Sequence, residues 1–131
     1  MKLKTFNRVT VPSNSKINKP FIHMIRRNGV SSISTGAMKL MNLKESDMVQ
    51  VHQSDEDPTE WYIEKVSKDG FPLRHNHNKT CLMFNCSLLV KSVFDSVGFE
   101  GRSTRFYIGE SIEFGKQTLY TIITAPVKTL G

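Results

Sequence analysis

The chain has 131 residues, 38% of them hydrophobic, and a formal net charge of +6. This length fits one domain that buries a core without disulfide or metal staples, and the composition excludes a wholly disordered chain. No apolar run approaches the ~18 residues of a membrane span, and no apolar targeting segment follows the basic start, so we expect a soluble cytoplasmic protein.

The positive charge is concentrated in the first third of the chain. Residues 1–44 contain nine basic residues and no acidic residue, a formal charge of +9. Residues 45–131 contain nine basic and twelve acidic residues, a formal charge of −3. This asymmetry predicts a cationic face or arm whose partner is a polyanion, because each neutralised phosphate releases counterions. A basic surface that contacts only solvent is the alternative.

The first elements in chain order are predicted strands. Residues 3–11 and 21–25 are rich in β-branched and aromatic side chains. Asn28-Gly29 is the strongest short hairpin signal in the chain, because both residue types accept positive φ. We therefore expect a turn there, with the next strand over residues 30–33.

A short helix follows this hairpin. Ser34 is a predicted N-cap, and Asn42 is a residue type that tolerates the left-handed conformation at a helix end. Between them, Ala37, Leu40 and Met41 have helical spacing and form one apolar face. The sequence therefore predicts a helix that opens at residue 35.

Strand-like runs return after the helix. Residues 48–51 and 61–66 are predicted partner strands, joined by an acidic loop over residues 53–59. A short strand over 71–74 and a polar loop over 75–78 follow. The middle of the chain therefore contributes a hairpin and a connector.

The same order of elements recurs in the second half. Residues 82–84 form a predicted strand, Asn85 a predicted N-cap and Gly98 a predicted helix end. The remaining expected elements are a strand over 105–108, a loop at 109–111 and a partner strand over 117–123.

The two halves align as a repeat of pattern with low identity. The pair at 33–34 matches that at 84–85, and Trp61 matches Thr118. Two such units predict a mostly β fold with short helices, a barrel with an internal pseudo-twofold repeat. We expect one domain over residues 1–131, with a basic N-terminal segment (1–20), a first βαββ unit (21–66), a connector (67–80) and a second βαββ unit (81–127).

Residues 29–51, GVSSISTGAMKLMNLKESDMVQV, resemble the core motif of the AbrB/SpoVT-type swapped-hairpin domain. That family pattern is a glycine, a strand ending in Ile-Pro, a short helix, a Leu-Gly-Leu-like exit, a turn with aspartate and a strand. The resemblance covers about 30 residues within residues 21–51. The matching positions are Gly29, Ile33, the helix from Thr35, Met41-Asn42-Leu43, Asp47, Val49 and Val51. The departures are Ser34 for the usual proline, Met38 for a common arginine and Asn42 for the usual glycine.

The resemblance implies a swapped-hairpin barrel. With two units in one chain, it implies a pseudo-dimer similar to a double-psi β-barrel. Family members contact DNA with basic residues before the glycine and near the helix, positions that Arg26, Arg27 and Lys39 hold here. Guanidinium groups suit phosphates and guanine edges.

We therefore expect a small nucleic-acid-binding protein without enzymatic activity or cofactor, either a DNA-binding regulator or an architectural protein. It would bind duplex DNA through phosphate contacts. The candidate nucleic-acid-binding residues are Lys4, Arg8, Lys16, Lys19, Arg26, Arg27 and Lys39.

A structural or assembly component of a larger complex or particle is the alternative function. Its basic N-terminal segment would be ordered by a partner, and a homodimer or larger assembly is compatible with either function. An enzyme on a barrel scaffold ranks last, because no catalytic motif is present. The twelve aromatic residues are expected mainly in the core, although exposed aromatics beside basic residues would stack bases of a single strand.

No cluster predicts a metal or catalytic centre. His75 and His77 lack a third ligand at a telling spacing, and the acidic residues 55–57 lack the EF-hand pattern. Cys81 and Cys86 fit neither a CxxC pair nor a zinc knuckle. Two reduced thiols and one disulfide remain the alternatives, and Cys86 is expected to pack in the first turn of a helix.

Overall fold

The computed structural model describes residues 19–124. The first half of this range contains β1 (Phe21–Ile25), β2 (Val30–Ile33), α1 (Thr35–Met41), β3 (Met48–Gln53) and β4 (Trp61–Val66). The second half contains β5 (Phe71–Pro72), β6 (Arg74–His75), β7 (Leu82–Asn85), α2 (Ser87–Val97), β8 (Ser103–Phe114) and β9 (Gln117–Ile123). The strand predicted over 3–11 lies outside the described residues, as does the end of the predicted second unit.

The nine strands form one antiparallel sheet in the order β5-β3-β4-β9-β8-β1-β2-β7-β6. Only Leu73 separates the two edge strands, β5 and β6, along the chain, so the edges of the sheet meet. Leu73 is buried there, and the ring of Phe71 stacks on that of Phe84 at a centroid distance of 4.8 Å. The predicted mostly β, barrel-shaped fold with short helices is therefore confirmed.

The strand order has a twofold pattern. Exchanging β2 with β7, β3 with β8, β4 with β9, and β1 with the β5–β6 pair returns the same circular order. The exchanged strands β2 and β7 pair with each other, as do β4 and β9. The sheet thus has the internal symmetry that the repeat predicts.

The residues at the two ends of the first helix, and the glycine of the turn before β2, adopt the conformations that the sequence predicts. Gly29 has a φ of 70° in the turn between β1 and β2. The Ser34 hydroxyl accepts a hydrogen bond from the backbone N–H of Ala37 at 3.2 Å and caps α1. Asn42 ends that helix with a φ of 55°. Each residue type meets the backbone requirement of its position.

The second helix does not begin as predicted. Asn85 belongs to β7, where it pairs with Val30, and the N-cap of α2 is Cys86, whose side chain makes no capping hydrogen bond. The Asn85 amide is already engaged, because it bonds the Arg74 guanidinium and donates to the carbonyl of Asn28 at 3.3 Å. The prediction that Asn85 caps α2 is wrong.

The predicted loop at 109–111 is also wrong. Strand β8 continues through these residues to Phe114, with an irregularity between Ile108 and Ser111 where its pairing with β9 shifts. Such a shift accommodates an extra residue and bends the strand. The reversal comes later, where Gly115 has a φ of 65°.

The core fills the barrel and the space beneath the helices. On β1, Ile22 and Met24 are fully buried, whereas the alternate residues face outward. The single Trp61 is buried, and its indole N–H donates to the Ser96 hydroxyl at 2.9 Å, which joins β4 to α2. The buried residues of α2 are Val90, Val93, Phe94 and Val97.

Candidate nucleic-acid interface

A row of side chains crosses the outside of the barrel over five neighbouring strands. The pairing registers place Arg105 beside His23, His23 beside Ser32, and Ser32 beside Met83. Met83 pairs in turn with Arg74 on β6. Because paired residues share one side of a sheet, the two arginines stand at the two ends of one row.

The strand segments under this row contain no carboxylate. Neither β1, β2, β6 and β7 nor residues 103–108 of β8 include an aspartate or glutamate. We call this surface the cationic face and define it by four exposed residues: Lys19, Arg27, Arg74 and Arg105. Charge of one sign on a single surface attracts polyanions over several ångströms.

Aromatic rings lie beside two of these cations. The guanidinium of Arg105 is 4.6 Å from the centroid of the Phe21 ring, and the ammonium of Lys19 is 5.8 Å from that of Tyr107. Phe21 and Tyr107 are direct partners across β1 and β8, and Tyr107 is 41% exposed. Cation and ring together form a surface suited to phosphates and to unpaired bases.

The opposite end of the face is held by Asn85. Its side-chain oxygen bonds the guanidinium of Arg74, and its amide donates to the carbonyl of Asn28 in the β1–β2 turn. Arg27 precedes Asn28 in that turn and is exposed. The hydrogen bonds of Asn85 therefore connect Arg74 of β6 to the turn that contains Arg27, although 46 residues separate the two arginines in the sequence.

A cleft of about 430 Å³ opens on the cationic face, and its only fully charged side chain among the described residues is that of Arg105. The Thr35 hydroxyl at its rim donates to the carbonyl of Thr80 at 2.8 Å. The lining residues are Phe21, His23, Ser32, Ser34, Thr35, Thr80, Cys81 and Arg105. A cation beside several hydroxyls is a suitable environment for a phosphate oxygen.

Burial sets the protonation of two groups in the cleft. It lowers the pKa of His23, and the neighbouring Arg105 lowers it further. Burial also raises the pKa of the Cys81 thiol, against the opposing effect of a hydrogen bond with Ser32. At neutral pH His23 is therefore neutral and Cys81 is a protonated thiol, so neither adds negative charge. Cys81 and Cys86 are both free.

The predicted site residues do not form one cluster. Lys4, Arg8 and Lys16 lie outside the described residues. Lys19 and Arg27 are exposed on the cationic face, at the two ends of β1. The structure therefore brings two of the predicted residues to a shared surface.

Arg26 is turned into the fold. Its Nε donates to the carbonyl of Gly101 at 3.0 Å, and its Nη2 donates to that of Phe99 at 2.6 Å. The guanidinium also lies 4.9 Å from the centroid of the Phe94 ring. Through these contacts, the side chain of Arg26 binds the connection between α2 and β8.

Lys39 is exposed in the last turn of α1, away from the cationic face. The end of that helix contacts β4 and β9, because the Lys65 ammonium donates to the carbonyl of Asn42 and the Tyr120 hydroxyl donates to that of Leu40. In the circular strand order, β4 and β9 are separated from β2 by β1 and β8.

Sequence reasoning missed Arg74 and Arg105. The alternation in Arg105-Phe106-Tyr107-Ile108 is a sequence signal that identifies Arg105 as outward-facing. It places Arg105 and Tyr107 on the side of the strand opposite the two buried residues. Only the pairing of β8 with β1 shows that this side adjoins Lys19.

Other classes of site receive no support from the described part of the chain. No three His, Cys, Asp or Glu side chains within it come together as a metal-binding group. Neither α1 nor α2, the two helices of residues 19–124, has the length and apolar character needed to cross a membrane. Comparison with known proteins finds no matching family model, curated protein or solved structure.

Proposed function

We propose that the protein binds nucleic acid through the cationic face, with duplex DNA as its target. One observation carries this proposal: Arg105 and Arg74 end a row of outward side chains on β1, β2, β6, β7 and residues 103–108 of β8, none of which includes an aspartate or glutamate. Strand segments without carboxylates add no repulsion of their own to an approaching phosphate, and arginine binds phosphate in bidentate geometry.

Binding of this kind acts mainly on the DNA backbone. Contacts from Lys19, Arg27, Arg74 and Arg105 to phosphates would fix the orientation of the protein without reading sequence. We propose an architectural or regulatory role in the cytoplasm, as a binding protein without catalytic activity. The resemblance of residues 21–51 to the AbrB/SpoVT-type domain favours DNA as the polyanion, and the basic residues Lys4, Arg8 and Lys16 would add phosphate contacts.

The test compares two variants that lose the same charge. Lys19→Gln/Arg105→Gln removes two cations of the face, and Lys68→Gln/Lys116→Gln removes two exposed lysines elsewhere. Fluorescence anisotropy with labelled random duplex DNA is followed from about 50 to 200 mM salt, the range over which phosphate contacts show their slope. Labelled single strands are measured in parallel, because exposed Tyr107 could stack unpaired bases.

The slope of log affinity against log salt is negative, and we expect its magnitude to fall by about 0.9 for each phosphate contact removed. The slope should therefore be shallower in Lys19→Gln/Arg105→Gln than in the wild type. The lysine control should keep the wild-type slope. Equal weakening in both variants would show that net charge, and not this surface, drives binding. Absence of binding at low salt would reject the proposed function outright.

A further inference from the structure

A hydrogen bond closes one side of the cleft on the cationic face. The hydroxyl of Thr35, the first residue of α1, donates to the carbonyl of Thr80 at 2.8 Å, although 45 residues separate the two in the sequence. This bond joins the chain that follows β2 to the chain that precedes β7, and both residues line the cleft. A group that enters beside Arg105 therefore meets a wall at Thr35 and Thr80. The cleft suits the end of a chain better than a strand that continues past it.

Arg105 is the cation of this cleft, and an aromatic ring positions it. Its guanidinium lies over the ring of Phe21, 4.6 Å from the centroid, and Arg105 pairs with His23 on the neighbouring strand. A guanidinium over a ring still presents N–H donors at its edge, where an anion can accept two of them. No aspartate or glutamate of residues 19–124 lines the cleft, so within it none competes with an anion for Arg105.

Two hydroxyl groups of the cleft can donate to the same anion. The Thr80 hydroxyl accepts from the side-chain amide of Asn76 at 2.8 Å, which leaves its own hydrogen to donate. Ser32 is hydrogen-bonded to Cys81, whose thiol burial keeps protonated. The S–H can therefore donate to Ser32 and leave the O–H of Ser32 for a ligand. With Arg105, these donors come from β8, β2 and the loop before β7.

This set of donors fits a phosphomonoester better than a phosphodiester. A phosphomonoester carries three acceptor oxygens and a charge of about −1.5 to −2 at pH 7, whereas each backbone phosphate of DNA carries one negative charge. It also has a single connection to the rest of its molecule, which matches the wall at Thr35 and Thr80. The cleft volume of about 430 Å³ lies within the range of small-molecule sites.

We propose that the cleft binds a phosphomonoester, with the phosphate on Arg105, Ser32 and Thr80. Two sources carry this group, the 5′-terminal phosphate of a nucleic-acid strand and a free nucleoside monophosphate. The choice of a strand end rests on the proposed function, whereas binding of the phosphomonoester itself does not.

Protection of the two cysteines tests phosphomonoester binding without nucleic acid. The full-length protein is treated with N-ethylmaleimide in the presence of thymidine 5′-monophosphate or of thymidine, and peptide mass spectrometry follows the labelling of each cysteine. Cys81 lines the cleft and Cys86 does not, and both are free and half-buried. We expect the monophosphate to slow labelling of Cys81 several-fold and to leave Cys86 unchanged, whereas thymidine should affect neither.

A DNA hairpin with a single 5′ end tests the strand end as the source. Two hairpins of one sequence, labelled in the loop, differ only in a 5′-phosphate or a 5′-hydroxyl, and fluorescence anisotropy compares their affinities. We expect the 5′-phosphate hairpin to bind about tenfold more tightly, the effect of hydrogen bonds to one charged group.

Variants that change no charge assign this preference to the cleft. Ser32→Ala/Thr80→Val should reduce the affinity ratio of the two hairpins to about one. The matched control Ser67→Ala/Thr118→Val, which removes two hydroxyls outside the cleft, should keep the wild-type ratio. The fluorescence of the buried Trp61 shows that each variant is folded.

The two experiments separate failure of this inference from failure of the proposed function. Equal affinity for the two hairpins, without protection of Cys81 by the monophosphate, would overturn the inference and leave nucleic-acid binding intact. Protection of Cys81 without binding of either hairpin would support the site with a free nucleotide as its source and reject the proposed function. A tenfold ratio that survives Ser32→Ala/Thr80→Val would overturn the strand end as the ligand, because charge alone would then explain the preference.

Discussion

The guanidinium of Arg26 lies over the ring of Phe94, 4.9 Å from its centroid, while the side chain of the next residue, Arg27, is exposed. The two arginines are indistinguishable in sequence, but only Arg26 contacts the core. Its two hydrogen bonds reach the carbonyls of Phe99 and Gly101 in the α2–β8 connection. Adjacent arginines in this chain therefore serve stability and surface charge separately.

Arg26→Ala should lower the free energy of unfolding by about 2–3 kcal/mol, because it removes two hydrogen bonds from a charged donor and a cation–π contact. Arg27→Ala should change it by less than about 0.5 kcal/mol, as is usual for exposed positions. Urea denaturation followed by the fluorescence of Trp61 measures both variants. Equal destabilisation by the two substitutions would contradict this assignment.

Gly29 and Gly115 form a second matched pair, since both have positive φ in a turn. A Cβ at Gly29 would lie 2.6 Å from the backbone N and Cα of Ser87, whereas a Cβ at Gly115 would meet nothing within 4 Å. Gly115→Ala should destabilise by about 1 kcal/mol through its backbone conformation alone. Gly29→Ala should lower the free energy of unfolding by at least about 2 kcal/mol more than Gly115→Ala does, because the start of α2 must move away from the added Cβ.

The thermal unfolding midpoints of the two glycine variants report this difference directly. Similar midpoints would mean that the β1–β2 turn and the start of α2 separate easily, contrary to the close approach of Gly29 to Ser87.

Local backbone chemistry explains which predictions succeeded. Gly29, Ser34 and Asn42 each act through the conformation of a few neighbouring residues, so the sequence was sufficient to identify the hairpin and the first helix. The prediction for Asn85 failed because its side chain is engaged by Arg74 and Asn28, which are distant in the sequence. Tertiary contacts override a local preference in such cases.

The candidate interface was harder to predict for a related reason. Counting charges along residues 1–44 identified Lys19 and Arg27, and it also included Arg26, which the fold uses internally. Arg105 reaches the same surface only because β8 pairs with β1 in one particular register. A shift of one residue would turn Arg105 inward, so its role depends on pairing that a single sequence does not specify.

Capping differs between the two helices and gives a third prediction. The Ser34 hydroxyl accepts from the N–H groups of Ala37 and Phe21 and donates to the carbonyl of Lys19. Ser34→Ala should therefore destabilise by about 2–3 kcal/mol, more than the loss of a cap alone. Cys86→Ser should stabilise by about 0.5–1 kcal/mol, because it supplies the side-chain cap that α2 lacks.

Both capping variants are measured by urea denaturation with Trp61 fluorescence. A destabilised Cys86→Ser variant would indicate that packing of the half-buried thiol contributes more than a cap at this position.

His23 makes stability depend on pH. Burial, and then the charge of Arg105, lower its pKa in the folded state below the ordinary value of 6.5. The unfolded chain therefore binds the proton more readily, so His23 lowers the free energy of unfolding as pH falls below about 6.5 and has no such effect at higher pH. His23→Gln should lose this contribution and show a flatter stability profile between about pH 5 and 7.

Urea denaturation at several pH values measures the profile, with His77→Gln, an exposed residue, as the control that should parallel the wild type. Raising the salt concentration should flatten the wild-type profile only in part, because salt screens Arg105 but leaves the larger effect of burial unchanged. A His23→Gln variant that kept the wild-type slope would mean that His23 has the same pKa in the folded and the unfolded chain. That result would contradict its placement in the cleft beside Arg105.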